Sequence, residues 1–321
     1  MQTPGPTVEE LQNALAKTGF LFEQQALQFI KRQMEAAGLD TTLSIEPCFD
    51  AEPNYLYNDA QTEKSRELDI YGHFSDVAGD PKMGGPYFNG HLIVECKSGE
   101  TPFAVIGSGA NSGFDSDWSN SLQVINDPLS YWSGEPYSIE YAAQLRKAQP
   151  GPFAEGFRGT QLVRLSRAQG SWKADNSGVH DSILYPLAKA TTAIMKYRTE
   201  INEADPEPEL NFYFPILLTN APVYKVVVHE ENVDIREVGW TALTREFSEQ
   251  GLKGKFPFEV VNYGHLGEYL RSRFLANLAD VKKRLIENGR YFSPHWCAAN
   301  LGAPKDEDGY NKWVAYFDQY N

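Results

Sequence analysis

His91-Leu92-Ile93-Val94-Glu95-Cys96-Lys97 is a short apolar run that ends on a carboxylate and an ammonium. Its β-branched and aliphatic residues predict a strand, and the side chains of a strand alternate between two faces. Ile93, Glu95 and Lys97 therefore share one face, and Leu92, Val94 and Cys96 share the other. A strand that is apolar on both faces belongs inside a sheet. Glu95 and Lys97 then stand side by side at a strand end that otherwise reads as buried.

Working outward, residues 66–74 (RELDIYGHF) predict a second strand, in which Leu68 and Ile70 face one way and Asp69 the other. Strands adjacent in sequence commonly pair, which brings Asp69 towards Glu95. Upstream, residues 20–37 predict a helix closed by Gly38, with Phe20, Leu27, Ile30 and Met34 on one stripe. Glu23 falls in that stripe, where a carboxylate is costly unless it is paired or bound to a metal. If this helix covers the two strands, Glu23 meets Asp69 and Glu95.

The rest of the chain reads more coarsely. A short helix over 8–17, a strand over 42–49, a polar loop to 63 and a further strand over 101–106 complete the first part. Residues 107–176 turn to Gly, Ser, Asn, Asp and Trp with weak periodicity and read as a long insertion with a helix near 138–148. A helix over 180–201, strands over 212–219 and 224–229 about the turn Asn220-Ala221-Pro222, a strand over 258–262 and a helix over 265–288 follow.

Clustered carboxylates repel one another and push their own pKa values upward. A divalent cation resolves that repulsion, and Mg²⁺, with Mn²⁺ as substitute, prefers such oxygen ligands. Asp69, Glu95 and Glu23 are the candidate ligands, together with the backbone carbonyl of Cys96. Such a cation polarises a phosphoryl oxygen and activates water, while Lys97 is placed to orient that water and offset negative charge. The catalytic candidates are thus Asp69, Glu95, Lys97 and Glu23.

This set, Glu23, then Asp69, then Glu95-Cys96-Lys97, resembles the PD-(D/E)xK nuclease superfamily, with Leu68 where the name-giving proline would stand. The element order from about 20 to 229 is similar to that family's α-β-β-β-α-β core. The resemblance implies an α/β fold: a restriction-endonuclease-like mixed sheet flanked by helices over 1–230, with an insertion at about 107–176 and a C-terminal extension, 231–321, packed on it. It further implies that Asp69 and Glu95 bind Mg²⁺, that Glu23 supports the metal, and that Lys97 activates the nucleophilic water. The implied activity is nuclease, on DNA or another nucleic acid, in restriction, anti-phage defence or repair. A non-catalytic adaptor on the same fold is the alternative.

Composition qualifies the partner. The 321 residues carry a formal net charge of −14, which opposes unspecific capture of nucleic acid because backbone affinity comes from Lys and Arg. Either a local basic groove or a protein partner must then supply contacts. Residues 157–173 hold Arg158, Arg164, Arg167 and Lys173 beside Phe157 and Trp172, which reads as a nucleic-acid contact or as a solvated face. Residues 107–113 lack the ending of a phosphate-binding loop and read as a loop near the site. His73 and His91 read as structural, and residues 282–284 as a helix end. Cys48, Cys96 and Cys297 form no metal-binding pair and fit reduced thiols in a cytoplasmic protein. No apolar run reaches the ~18 residues a membrane helix needs.

Overall fold

The computed structural model describes residues 5–16, 18–40, 47–59, 62–78, 87–109, 123–125, 157–168, 170–204, 209–249 and 252–287. The chain is α/β, with a mixed sheet of twelve strands among the described residues. Helices α1 (Val8–Ala16) and α2 (Phe20–Ala36) lead into strands β1 (Cys48–Asp59), β2 (Lys64–Val77), β3 (Tyr87–Lys97), β4 (Phe103–Gly109), β5 (Gln123–Ile125), β6 (Phe157–Ala168) and β7 (Ser171–Asp175). Helix α3 (Tyr185–Ala204) precedes β8 (Glu209–Thr219), β9 (Val223–Val228), β10 (Val233–Val238), β11 (Trp240–Glu249) and β12 (Leu252–Asn262). Short α4 (Leu266–Tyr269) and α5 (Ala276–Glu287) close the described part.

Strand order is β1-β2-β3-β8-β12-β11-β6-β4-β9-β10, with β5 added to β8 and β7 to β6. Strands β3, β8 and β12 run parallel, and helices cover both faces. On one side, Phe22, Ala26, Leu27, Ile30 and Met34 of α2 pack with Leu92, Val94, Cys96 and residues of α4–α5. On the other, Ile183 and Leu187 pack at the start of α3 with Ile93, Tyr213 and Leu217. That double burial is why β3 is apolar on both faces.

The sheet rolls on itself. Strands β8 and β9 are five places apart in the ladder, which is ~24 Å in a flat sheet. Residues 220–222 link them and can span only about 15 Å. The β4–β9 half must therefore curl back over the β3–β8 half, and Phe103, Val105 and Val223 share a core with Tyr213 and Leu217. The turn read at 220–222 thus joins strands that do not pair.

Several expectations are corrected. The stretch 50–59, read as loop, is strand β1. Its Asp, Asn and Pro residues are tolerated because β1 lies at the sheet edge, where Pro53 need donate nothing and Asn54 takes a φ of 54°. The 107–176 segment is not wholly an insertion, since β6 stands between β4 and β11. Nor does 231–321 simply pack on a finished core: β11 and β12 fill the middle of the sheet. The strand expected over 258–262 is the second half of β12, whose first half is broken up by Lys253, Gly254 and Lys255. Phe20 is 65% exposed, and Phe22 takes its place in the core. The helix expected near 138–148, like Cys297, lies outside the described residues.

Candidate active site

The carboxyl ends of β3, β8 and β12 meet on one line, because Thr219 pairs with both Lys97 and Asn262. This rim is pinned by hydrogen bonds: Gly99 N donates to Asn220 Oδ1 at 2.9 Å and Asn262 Nδ2 to the Ala221 carbonyl at 2.8 Å. In α/β sheets, ligands bind beyond such carboxyl ends. Glu95 and Lys97 stand at this rim.

Asp69 reaches it through an interruption in the sheet. The β2–β3 ladder runs inward from Ile70–Val94. One step outward, Asp69 Oδ2 accepts the Cys96 backbone N–H at 2.6 Å, so a side-chain carboxylate satisfies a donor at the ladder's end. The flanking pairs Pro53–Ile70 and Tyr55–Leu68 place Asn54 opposite Asp69. Leu68 belongs to the α3-side core and Ile70 to the α2-side core. The expectation that these two share a face therefore fails. The strand reverses its faces at Asp69, opposite a left-handed Asn54, and the distortion frees that carboxylate from the regular pleat.

Glu95 is 12% exposed, and Lys97 Nζ donates to its Oε1 at 2.5 Å. Burial, with the negative charge of Asp69, pushes the Glu95 carboxyl up to about 7 despite Lys97. Burial also raises Asp69, against the Cys96 hydrogen bond and Lys97. Glu23 lies in the first turn of α2, which packs on the opposite side of β3 from Glu95. It reaches the rim around the strand end: Glu23 Oε1 and Ser98 Oγ lie 3.4 and 3.5 Å from the point where a Cβ on Gly19 would sit. Gly19, at φ 85°, is also the residue that starts α2. Partial burial and Asp69 raise Glu23, opposed by Lys97.

Asp69, Glu95, Glu23 and Lys97 thus share one electrostatic neighbourhood. Among the described residues, no three His, Cys, Asp or Glu side chains stand as a closed ligand set. Glu95 is turned to Lys97 and one Asp69 oxygen to the Cys96 amide. The Cys96 thiol packs in the α2-side core, and burial raises it well above the ordinary thiol range.

The basic stretch is four strand places from β3 in the ladder: Arg158, Arg164 and Arg167 fall on β6 and Lys173 on its hairpin partner β7. The roll nevertheless brings the Arg164 end of β6 to the connection that follows Lys97, where Leu165 N donates to the Pro102 carbonyl at 2.8 Å and Phe103 N to the Pro222 carbonyl at 3.0 Å. Arg164 is half-buried with its guanidinium 5.8 Å from the Phe103 ring centre, while Arg167 and Lys173 are exposed. His73 and His91 sit in a buried polar layer under α3. His91 joins Tyr71 Oη at 2.9 Å and Asn211 Oδ1 at 2.8 Å, and His73 faces Asn89 and Arg198. Burial and Arg198 push His73 down to about 3, and burial pushes His91 well down. Both rings are neutral and structural. Lys282 is engaged with Asp76 at 2.6 Å.

Sequence reading missed Glu67, whose charge raises both Glu23 and Asp69, and Ser98. Their adjacency to Asp69 and Lys97 was the signal. No helix among the described residues is long and apolar enough to cross a membrane. Comparison with protein-family models, curated proteins and solved structures gave no match.

Proposed function

We propose that the chain is a divalent-cation-dependent phosphodiesterase, a nuclease on a restriction-endonuclease-like core of the PD-(D/E)xK type. The observation that carries this reading is the one electrostatic neighbourhood that Asp69, Glu95 and Glu23 share with Lys97 at the carboxyl rim of β3, all three acids raised from their ordinary values. Burial is the first cause of each rise, and the charge of Asp69 adds to it at Glu23 and Glu95. Buried acids beside one another are poor stabilisation and good preparation for a cation.

Carboxylate oxygens are the donors that Mg²⁺ or Mn²⁺ prefers, and these residues would hold the ion once Lys97 moves off Glu95. Asp69 Oδ1 and Glu95 Oε2 remain for it, and Glu23 supports the same neighbourhood. The Cys96 carbonyl projects to the same side of β3 as its N–H, because both groups of a strand residue face one neighbour. It therefore points towards Asp69. The bound cation would supply Lewis acidity to a phosphoryl oxygen and to water.

The chain's own groups do the rest. Lys97, released from Glu95, orients the attacking water and offsets charge on the phosphoryl oxygens. Glu95, ionised once its carboxylate holds the cation, keeps the water in place, and the water's proton leaves to solvent. Water oxygen bonds to phosphorus as the ester P–O bond breaks, and the departing oxygen takes a proton.

The purified chain with Mg²⁺ should nick or degrade plasmid or single-stranded DNA, and Glu95→Ala or Lys97→Ala should abolish that activity. Silence of the wild type on DNA, RNA and branched substrates overturns the reading. A non-catalytic adaptor is favoured by one observation, the closed Glu95–Lys97 pair at 2.5 Å. A melting temperature indifferent to Mn²⁺ would select it.

A further inference from the structure

A cleft of ≈ 540 Å³ runs between edge strand β1 and helix α3, lined by Tyr55, Tyr57, Tyr197 and Thr192 with the buried Asp59–Lys189 pair. Its size is that of a small-molecule site. Its position ties it to the acidic rim. Tyr55 pairs with Leu68 one residue beyond the Asn54–Asp69 row, and Glu95 contributes to the field at Tyr57. Only β2 separates β1 from β3, so Tyr55 stands on the order of 10 Å from Glu95. That is about three stacked nucleotide steps of ~3.4 Å.

The chemistry of the cleft fits a base better than a phosphate. Lys189 Nζ lies 2.8 Å from Asp59 Oδ2, and Lys196 Nζ lies 3.5 Å from Glu200. Both lysines are thus engaged by carboxylates. What the cleft offers instead is aromatic surface. Tyr55 is backed by Tyr71, ring centres 4.5 Å apart, so this platform is set before any ligand arrives. Tyr197, 53% exposed, stands on the α3 wall, and Thr192 and Asn58 add hydrogen-bonding edges. Stacking of bases on aromatic side chains is sequence-indifferent, because every base has a π-face, and it is a share of single-strand binding that needs no phosphate contact. A chain of net charge −14 is poorly equipped to hold duplex through its phosphates.

We infer that the β1–α3 cleft binds an unpaired nucleobase, so that the substrate is single-stranded nucleic acid or the frayed end of a duplex. This rests on the phosphodiesterase reading for its meaning as a substrate site, but its binding is measured apart from cleavage. The full chain, held in EDTA, is titrated into a short fluorescein-labelled oligothymidine strand and into the corresponding duplex, with anisotropy as readout. The strand is expected to bind at least ~10-fold more tightly than the duplex. Tyr197→Ala should weaken strand binding by ~5- to 100-fold, and Tyr197→Trp should retain it. Tyr197 is exposed enough for both variants to fold, which an unchanged melting temperature verifies.

Equal affinity for strand and duplex, no binding of either, or a Tyr197→Ala variant of unchanged affinity overturns the cleft. A parallel plasmid-nicking assay in Mg²⁺ separates the two readings. Cleavage with Tyr197-indifferent binding keeps the phosphodiesterase and removes the cleft. Tyr197-dependent strand binding without any cleavage does the opposite.

Discussion

The Cys96 backbone N–H donates to Asp69 Oδ2 at 2.6 Å, beside the point where the β2–β3 ladder begins. One carboxylate therefore has two tasks: it satisfies a strand end, and it presents its other oxygen to the rim.

Those tasks separate on substitution. Asp69→Ala leaves the Cys96 amide without its acceptor, at a cost of ~1–3 kcal/mol, partly offset by relief of repulsion with Glu95. Asp69→Asn keeps the acceptor and loses the charge. Urea unfolding should show Asp69→Ala less stable than Asp69→Asn, while calorimetry shows both without Mn²⁺ uptake. Equal stability of the two variants would argue that the hydrogen bond contributes nothing.

Stability should depend on pH with an unusual sign. The folded Glu95 carboxyl is raised from an ordinary 4.5 to about 7, so the folded chain holds a proton that the unfolded chain has released. That stability is present below about 4.5 and is lost as pH rises through about 7. Asp69 and Glu23, also raised, act in the same direction. The metal-free melting temperature should fall across this window, and Glu95→Gln should flatten the fall. Added Mn²⁺ should stabilise more above pH 7 than below it, because the cation competes with the proton.

How much of this was legible in the sequence follows from the residues themselves. Strand β3 and helix α2 carry strong periodicity, and Glu23, Asp69, Glu95 and Lys97 stood out as charges set among apolar neighbours. The face reversal at Asp69 was not legible, since it depends on Asn54 from a strand rich in turn-forming residues. The central places of β6, β11 and β12 were equally hidden. Their partners lie far off in sequence, and a rolled sheet is not encoded in any local period.

The buried pair beneath the tyrosine cleft offers a test of packing. Lys189 is 8% exposed and Asp59 1%, at 2.8 Å, with Arg66 on the same Asp59 oxygen at 2.6 Å. Lys189→Met removes one buried partner and should cost ~2–4 kcal/mol, less than the full penalty because Arg66 remains. The double variant Asp59→Asn with Lys189→Met should recover much of that loss in chemical denaturation. Additive losses would contradict the coupling.

If the β6–β7 hairpin touches phosphate, Arg167→Ala with Lys173→Ala should reduce the salt slope of nucleic-acid binding by ~2 while leaving kcat unchanged. An unchanged slope would leave these residues as a solvated face.

A crystal of the full chain soaked in Mn²⁺ examines the acidic rim most directly. Anomalous density is expected within ~2.0–2.3 Å of carboxylate oxygens of Asp69 and Glu95, with Lys97 moved off Glu95 and the Glu23 carboxylate nearby. Saturating Mn²⁺ that leaves no peak there, with Glu95 still held by Lys97, would contradict the metal site and the phosphodiesterase built upon it.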